Sequence, residues 1–184
     1  MRIIAGTLKG RKLQPIKIPG IRPTSDKVRE AIFSILHQRV NNANVADLFA
    51  GTGAMGMEAM SRGASQCVFV DDNPLALELI SANLKTFGLD DNTQAIRWDA
   101  AKNLLCLKRT GLSFDLVFAD PPYAMDAVQS TLDNLARANI LNPEATVVFE
   151  TAYNKNILEK TDAFSRSDQR KYGKTLVSFF RFML

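Results

Sequence analysis

The stretch Asp47-Leu48-Phe49-Ala50-Gly51-Thr52-Gly53-Ala54-Met55-Gly56 decides the fold. It closes an apolar run, Val45–Phe49, and passes through its glycines into a run of helical character, Ala54–Arg62. Gly51, Gly53 and Gly56 satisfy GxGxxG between a strand and a helix. Such a loop turns tightly and lets a ligand approach without meeting a Cβ. Phe49, Ala50, Gly51, Thr52 and Gly53 are therefore candidate cofactor contacts. Asp71 stands 20 residues beyond Gly51, at the end of the next apolar run. There its carboxylate can accept hydrogen bonds from both hydroxyls of a ribose. A nicotinamide dinucleotide and S-adenosylmethionine both fit to this point. Asp47, four positions before Gly51, separates them. A carboxylate there opposes a pyrophosphate and suits the ammonium of a methionine moiety, which favours S-adenosylmethionine.

Outward from this stretch, strands and helices alternate. A helix is expected over about 25–39, opened by Thr24-Ser25-Asp26, with Val28, Ala31, Ile32, Ile35 and Leu36 at helical spacing. Gln66–Val70 reads as a strand running into Asp71-Asp72-Asn73-Pro74, followed by a helix from Pro74 to Thr86. Ala95–Trp98 is a short strand ending at Asp99, with a helical segment near 100–108. Phe114–Ala119 is a strand ending at Asp120, with a helix near 125–138. Ala145–Glu150 is a strand, Asn154–Lys160 a short helix, and Ser165–Tyr172 and Thr175–Met183 two strands joined at Gly173. This is the pattern of an α/β, doubly wound, mostly parallel seven-stranded sheet with an antiparallel C-terminal edge pair. In such sheets ligands lie outside the carboxyl ends of the strands. Gly51, Asp71, Asp99 and Asp120 all fall at such ends, so one crevice should collect them.

Asp120-Pro121-Pro122-Tyr123 is the second chemical motif. Prolines remove backbone donors and stiffen the loop, so that carbonyls stand as acceptors beside the Asp120 carboxylate. Such acceptors suit an exocyclic amine with two N–H donors, and Tyr123 offers a flat face to a base. Holding both hydrogens on acceptors favours the pyramidal amine, whose lone pair can attack a methyl group.

Charge is uneven along the chain. Residues 1–29 carry Arg2, Lys9, Arg11, Lys12, Lys17, Arg22, Lys27 and Arg29 against Asp26 alone, a net of +7, while the whole chain of 184 residues is only +4. A basic arm over 1–24, part of it a short hairpin through Gly6 and Gly10, precedes a mildly acidic body over 25–184. Such an arm meets polyanions or simply keeps the chain in solution. Arg166, Arg170, Lys171 and Lys174 form a second basic cluster. A composition 46% hydrophobic and 23% charged excludes a disordered or collagen-like chain. No run approaches the roughly 18–20 apolar residues of a membrane span, and the amino terminus lacks the apolar core of a secretory signal. Cys67 and Cys106 lie apart in apolar stretches and suggest neither a disulfide nor a metal site. A cytoplasmic, monomeric protein is expected. His37, the single histidine, has no evident partner and reads as a surface residue, and Trp98 reads as core, with flanking of an adenine as the lesser alternative.

These residues resemble a known family. The Asp47–Gly53 stretch with Asp120-Pro121-Pro122-Tyr123 is similar to class I amino-methyltransferases. Met1-Arg2-Ile3-Ile4-Ala5-Gly6, Gly10-Arg11-Lys12-Leu13, Arg22-Pro23-Thr24-Ser25-Asp26-Lys27-Val28-Arg29-Glu30-Ala31-Ile32-Phe33 and Tyr172-Gly173-Lys174-Thr175 narrow it to the bacterial RsmD family. The resemblance implies methylation of a guanine N2 amine in 16S ribosomal RNA, in a 30S subunit or assembly intermediate, on a flipped base. It implies that Asp47, Asp71, Asp72 and the glycine loop hold the cofactor, that Asp99 and the Ala100 backbone read its adenine, and that Asp120, Pro121, Pro122 and Tyr123 are catalytic. Arg2, Lys9, Arg11, Lys12, Arg22 and Lys174 become candidate RNA contacts. Asp71 departs from the family's commoner glutamate, a change that keeps both ribose acceptors. Two other readings share parts of the pattern: a DNA adenine-N6 or protein-glutamine methyltransferase, and a non-catalytic RNA-binding protein on a Rossmann scaffold.

Overall fold

The computed structural model describes residues 1–14, 24–121, 127–153 and 157–184. Ser25 caps the first helix by accepting from the Val28 amide, and α1 runs Asp26–Leu36. Then follow β1 (Asn44–Leu48), α2 (Ala54–Ser61), β2 (Gln66–Asp71), α3 (Pro74–Phe87), β3 (Thr93–Arg97), α4 (Leu105–Lys108), β4 (Phe114–Ala119), α5 (Ala127–Ala138), β5 (Leu141–Ala152), β6 (Phe164–Tyr172) and β7 (Thr175–Phe182). The strands form one sheet in the order β3-β2-β1-β4-β5-β7-β6. β1 to β5 are parallel, and β7 enters antiparallel between β5 and β6. The expected doubly wound sheet with an antiparallel carboxyl-terminal pair is present.

Both faces are covered, which is why the central strands read as unbroken apolar runs. Val45, Cys67, Phe69, Leu116 and Phe118 pack with α1, α2 and α3. Their neighbours Ala46, Leu48, Val68, Val70 and Val117 pack with α4 and α5 on the other side. No helix of the described residues is long and apolar enough to cross a membrane.

Several local expectations are corrected. The segment near 100–108 is helical only from Leu105 to Lys108. Asp99 and Asn103 side chains accept from the Ala101 and Leu105 amides and so hold turns in place of a longer helix. α1 stops at Leu36 because His37 takes φ +46°, and a 3₁₀ turn His37–Val40 follows. β5 begins four residues before the expected Ala145, pairing Leu141 with Phe114 across a register shift. Of the expected helix at Asn154–Lys160, residues 154–156 lie outside the described residues. Residues 157–160 are not helical, and Lys160 bridges Ser165.

Candidate active site

The parallel strands all point their carboxyl ends one way, and the glycine loop sits where β1 ends. Phe49, Gly51 and Gly53 adopt φ of +56°, +52° and +69°. A positive φ is easy for glycine and costly for phenylalanine, so Phe49 marks strain in the turn. The Gly53 amide donates to the Ala50 carbonyl at 2.7 Å, which folds the loop back on itself. The Ala54 amide donates to Thr52 Oγ1 at 3.3 Å. At Gly56 a Cβ would lie 2.4 Å from the Phe69 ring, so this glycine lets α2 pack directly on β2.

Asp71 braces the loop from β2. One carboxylate oxygen accepts from the Gly51 amide at 2.8 Å and the other from the Asn73 amide at 2.9 Å. Asp47 lies deeper, 4% exposed, with Oδ2 accepting from the Gly56 amide at 2.9 Å. It stands beneath the loop as a source of field and an anchor for α2. Burial pushes its carboxyl up to about 8, and the nearby charges of Asp71 and Asp120 push the same way. The charges of Asp71 and Asp120, at the ends of β2 and β4, thus reach the Asp47 carboxyl at the end of β1. A cation entering here is favoured and a pyrophosphate is opposed. The donor set therefore fits S-adenosylmethionine, which carries a sulfonium and an ammonium.

At the ends of β2 and β3 an open cavity of about 520 Å³ is lined by Asp72, Arg97, Trp98, Asp99, Lys102 and Asn103. Trp98 is half-buried: it packs against the core and also lines this cavity. Its indole N–H donates to the Asn103 carbonyl at 3.0 Å, which fixes the ring at the cavity wall. The hydrogen bond from Lys102, 3.1 Å away, holds Asp99 below the usual carboxylate range. Ala100, 2% exposed, packs beneath. Asp120 follows β4 at half exposure with Pro121 buried beside it, while Pro122 and Tyr123 lie outside the described residues.

A family model described as Conserved hypothetical protein 95 matches residues 1–181. The chain belongs to the Conserved hypothetical protein 95 family. It is 33% identical over 181 residues to the Bacillus subtilis protein YlbH, covering 98% of each chain. It is 33% identical over 151 residues to the Escherichia coli ribosomal RNA small subunit methyltransferase D, covering 82% of this chain and 74% of that one. The solved structure of the Escherichia coli yhhF protein superposes with a TM-score of 0.87 at 28% identity, covering 100% of this chain and 98% of that one.

This member of the Conserved hypothetical protein 95 family builds its amino-terminal segment into the body. Arg2 and Lys12 form a single bridge, so the expected hairpin is minimal. Its docking comes from α2. Glu58, fully buried, accepts from the Ile4 and Ala5 amides at 2.8 and 3.0 Å, and Arg62 pairs with it at 2.7 Å. Ser61 accepts from the Leu8 amide at 2.9 Å and donates to the Ala5 carbonyl at 2.6 Å. A Cβ on Gly6 would stand 1.8 Å from the Ser61 carbonyl oxygen, so no other residue fits there without movement. Ile3 and Leu13 are buried in the core shared by α1, α2 and α3.

The tip of the arm lies away from the crevice. Ser61 ends α2 and Thr86, which accepts from Arg11, lies in the last turn of α3. Both helices begin at the crevice, so the arm's tip meets their far ends. The arm is also less free than its charge suggested. Arg29 is 0% exposed, with Nε 3.6 Å from Glu58 and Nη2 donating to Asp26 and to the Arg2 carbonyl. Burial pulls its guanidinium below its usual value, and Glu58 and Asp26 oppose that shift. Arg2 stands 3.8 Å from Asp26. Arg11 stacks over Phe87 at 4.8 Å. Lys9 and Lys12 are exposed, as is Lys174 at the β6–β7 turn, while Arg22 lies outside the described residues. Sequence reasoning missed Glu58. Its signal was an acid inside the otherwise apolar Ala54-Met55-Gly56-Met57-Glu58-Ala59-Met60 helix.

Proposed function

We propose that the protein is an S-adenosylmethionine-dependent methyltransferase of ribosomal RNA, and that its target is the exocyclic N2 amine of a guanine in 16S RNA. The observation that carries this reading is the cation-seeking crevice formed by Asp47, Asp71 and Asp120, with the Asp120-Pro121 acceptors on its open side. The named activity of the Escherichia coli relative supports the RNA class. When bound, S-adenosylmethionine supplies a methyl group already activated on sulfur, so the protein's task is alignment. Asp71 and the glycine loop hold the ribose and methionine portions, with Asp72, Asp99 and Ala100 at the adenine end. Asp120 and the Pro121 carbonyl accept the two amine hydrogens, and Asp120 takes a proton after transfer. Tyr123 and Pro122 confine the flipped base. Exposed Lys9, Lys12 and Lys174, together with Arg2 and Arg22, pair with phosphates and orient the RNA. Arg11 joins them only with whatever donors its bond to Thr86 leaves over. In this reading the substrate is a 30S subunit or an assembly intermediate, and the protein acts as a monomer in the cytoplasm without a metal.

The test is methyl transfer to 16S RNA, naked and in 30S particles, with digestion and mass analysis of the nucleosides. N2-methylguanosine is the expected product. It should be largely lost in Asp120→Ala while cofactor binding changes much less. A methyl group on adenine, on DNA or on a protein overturns the guanine reading. Wild-type turnover in Asp120→Ala removes Asp120 from the mechanism.

A further inference from the structure

Beyond the crevice, one exposed aromatic ring remains unexplained. Tyr153 follows the last residue of β5, and its amide donates to the Lys174 carbonyl at 3.0 Å, one rung past the Ala152–Thr175 pair. Tyr153 is 52% exposed. The Lys171 ammonium lies 3.6 Å from its ring centroid. Alternation along the strands puts Tyr153, Lys171 and Lys174 on the same side of the sheet, the side that carries α5. β5 runs parallel to β4, with Phe149 level with Ala119, so Glu150 is level with Asp120. Tyr153 stands three residues further, about 10 Å along the strand direction, and one strand away from β4.

A large flat side chain held in water needs a reason, and its surroundings name one. One face of the ring is taken by an ammonium and more than half of the residue is open. A second lysine, Lys174, stands at the β6–β7 turn beside it. An aromatic face flanked by cations is the construction that binds single-stranded nucleic acid: the ring stacks on a base and the lysines pair with the adjoining phosphates.

We propose that Tyr153, with Lys171 and Lys174, forms a stacking subsite for an unpaired base next to the nucleotide that enters the crevice. The inference rests on the RNA reading above and adds to it a second point of attachment. It holds the strand on the far side of the target, so that the target base is drawn from its neighbours between two fixed points.

The experiment is binding of a short, fluorescently labelled single-stranded oligoriboadenylate to the full chain, followed by anisotropy at several salt concentrations. Tyr153→Ala should weaken binding about thirtyfold, the middle of the range for loss of one stacked base, with an unchanged salt slope because no charge is removed. Tyr153→Trp should restore it. Lys171→Ala should weaken binding and also lower the slope by about 0.7. Binding of S-adenosylhomocysteine serves as the folding control, and Tyr153→Leu, which keeps bulk without a flat ring, replaces the alanine variant if that fails to fold. Wild-type affinity in Tyr153→Ala overturns the proposal. So does a loss that comes with a lower salt slope, since the ring would then only position Lys171. The readout involves no methyl transfer. A chain that binds through Tyr153 but methylates another base overturns the guanine reading alone. One that makes N2-methylguanosine yet ignores Tyr153 overturns the subsite alone.

Discussion

The junction of α1, α2 and the amino-terminal arm and the turn between β6 and β7 are both rich in charge, and they use it in opposite ways. At the junction, charge is buried. Glu58 and Arg29 are fully enclosed and tied to each other and to the backbone of the arm. At the turn, Lys171 and Lys174 stand in solvent at the crevice end of the sheet. The chemistry of the two cations follows the same division. Arginines bind fixed acceptors of the fold, whether buried or at its surface: Arg29 at Glu58, exposed Arg11 at the end of α3, Arg166 on the Ile157 carbonyl. A planar fork with several donors suits fixed acceptors, whereas a lysine is a mobile point charge suited to phosphates. Buried charge therefore decides whether the scaffold holds, and exposed charge decides what it meets.

The comparison can be broken first at Glu58. Glu58→Ala should leave Arg29 without its main partner and free the Ile4 and Ala5 amides, at a cost of about 3–5 kcal/mol. Urea unfolding should show it as a lower midpoint, and stability close to wild type would mean the junction holds no arm. Asp47 gives the next largest effect, with opposite sign. Its carboxyl ionises near 3.8 in the unfolded chain and at about 8 when folded. The Asp47 contribution to stability should therefore be greatest below pH about 4, fall as pH rises between these values, and level off above about 8. Asp47→Asn keeps an acceptor for the Gly56 amide and should stabilise the unliganded protein at pH 8 by an amount on the order of a few kcal/mol. It should weaken S-adenosylmethionine binding, and wild-type affinity should rise with pH toward about 8 as the carboxylate forms. Thermal unfolding and calorimetry across pH check both signs.

The exposed side is sharpened by two double variants. Lys171→Ala with Lys174→Ala should leave the unfolding midpoint in place and lower the salt slope of RNA binding by about 1.4, or about 0.7 for each contact to a single strand. Lys9→Ala with Lys12→Ala should lower the slope for the whole 30S particle and leave a short oligonucleotide unaffected. The smallest effect belongs to Arg11→Ala, which removes the stack on Phe87 and the bond to Thr86. A loss of about 0.5–1 kcal/mol of stability is expected there by denaturant titration.

Much of the scaffold was legible because local and global demands agree. The glycine loop, Ser25 as a cap, Asn73-Pro74 opening α3 and Phe114–Ala119 as β4 each carry their own signal in a few adjacent residues. The start of β5 was hidden because Asn142 and Pro143 read as turn residues, and pairing with Phe114 overrode them. Asp71, Asp99 and Asp120 were visible as strand-end acids. The depth of Asp47 was not, because a carboxylate beneath a loop and one lining it look alike in sequence. Arg29 was counted as a free cation for a similar reason: its partner, Glu58, is 29 residues away in the chain. Tyr153 carried no pattern at all, and only the β5–β7 and β6–β7 pairings together bring it to Lys171.

The position of the arm's tip also sets a length. α3 has 14 residues, so Arg11 at its far end is roughly 20 Å from the crevice rim at Asn73. An RNA that touches both the rim and the tip must reach along the side of the domain over that distance. A mononucleotide or a short oligomer reaches only the rim. A folded RNA with a helix or second strand beside the target reaches both. If the arm pairs with phosphates as proposed, the molecule is in this sense a gauge of its substrate's breadth, and fragments too small to fill the span should lose the orientation the arm provides.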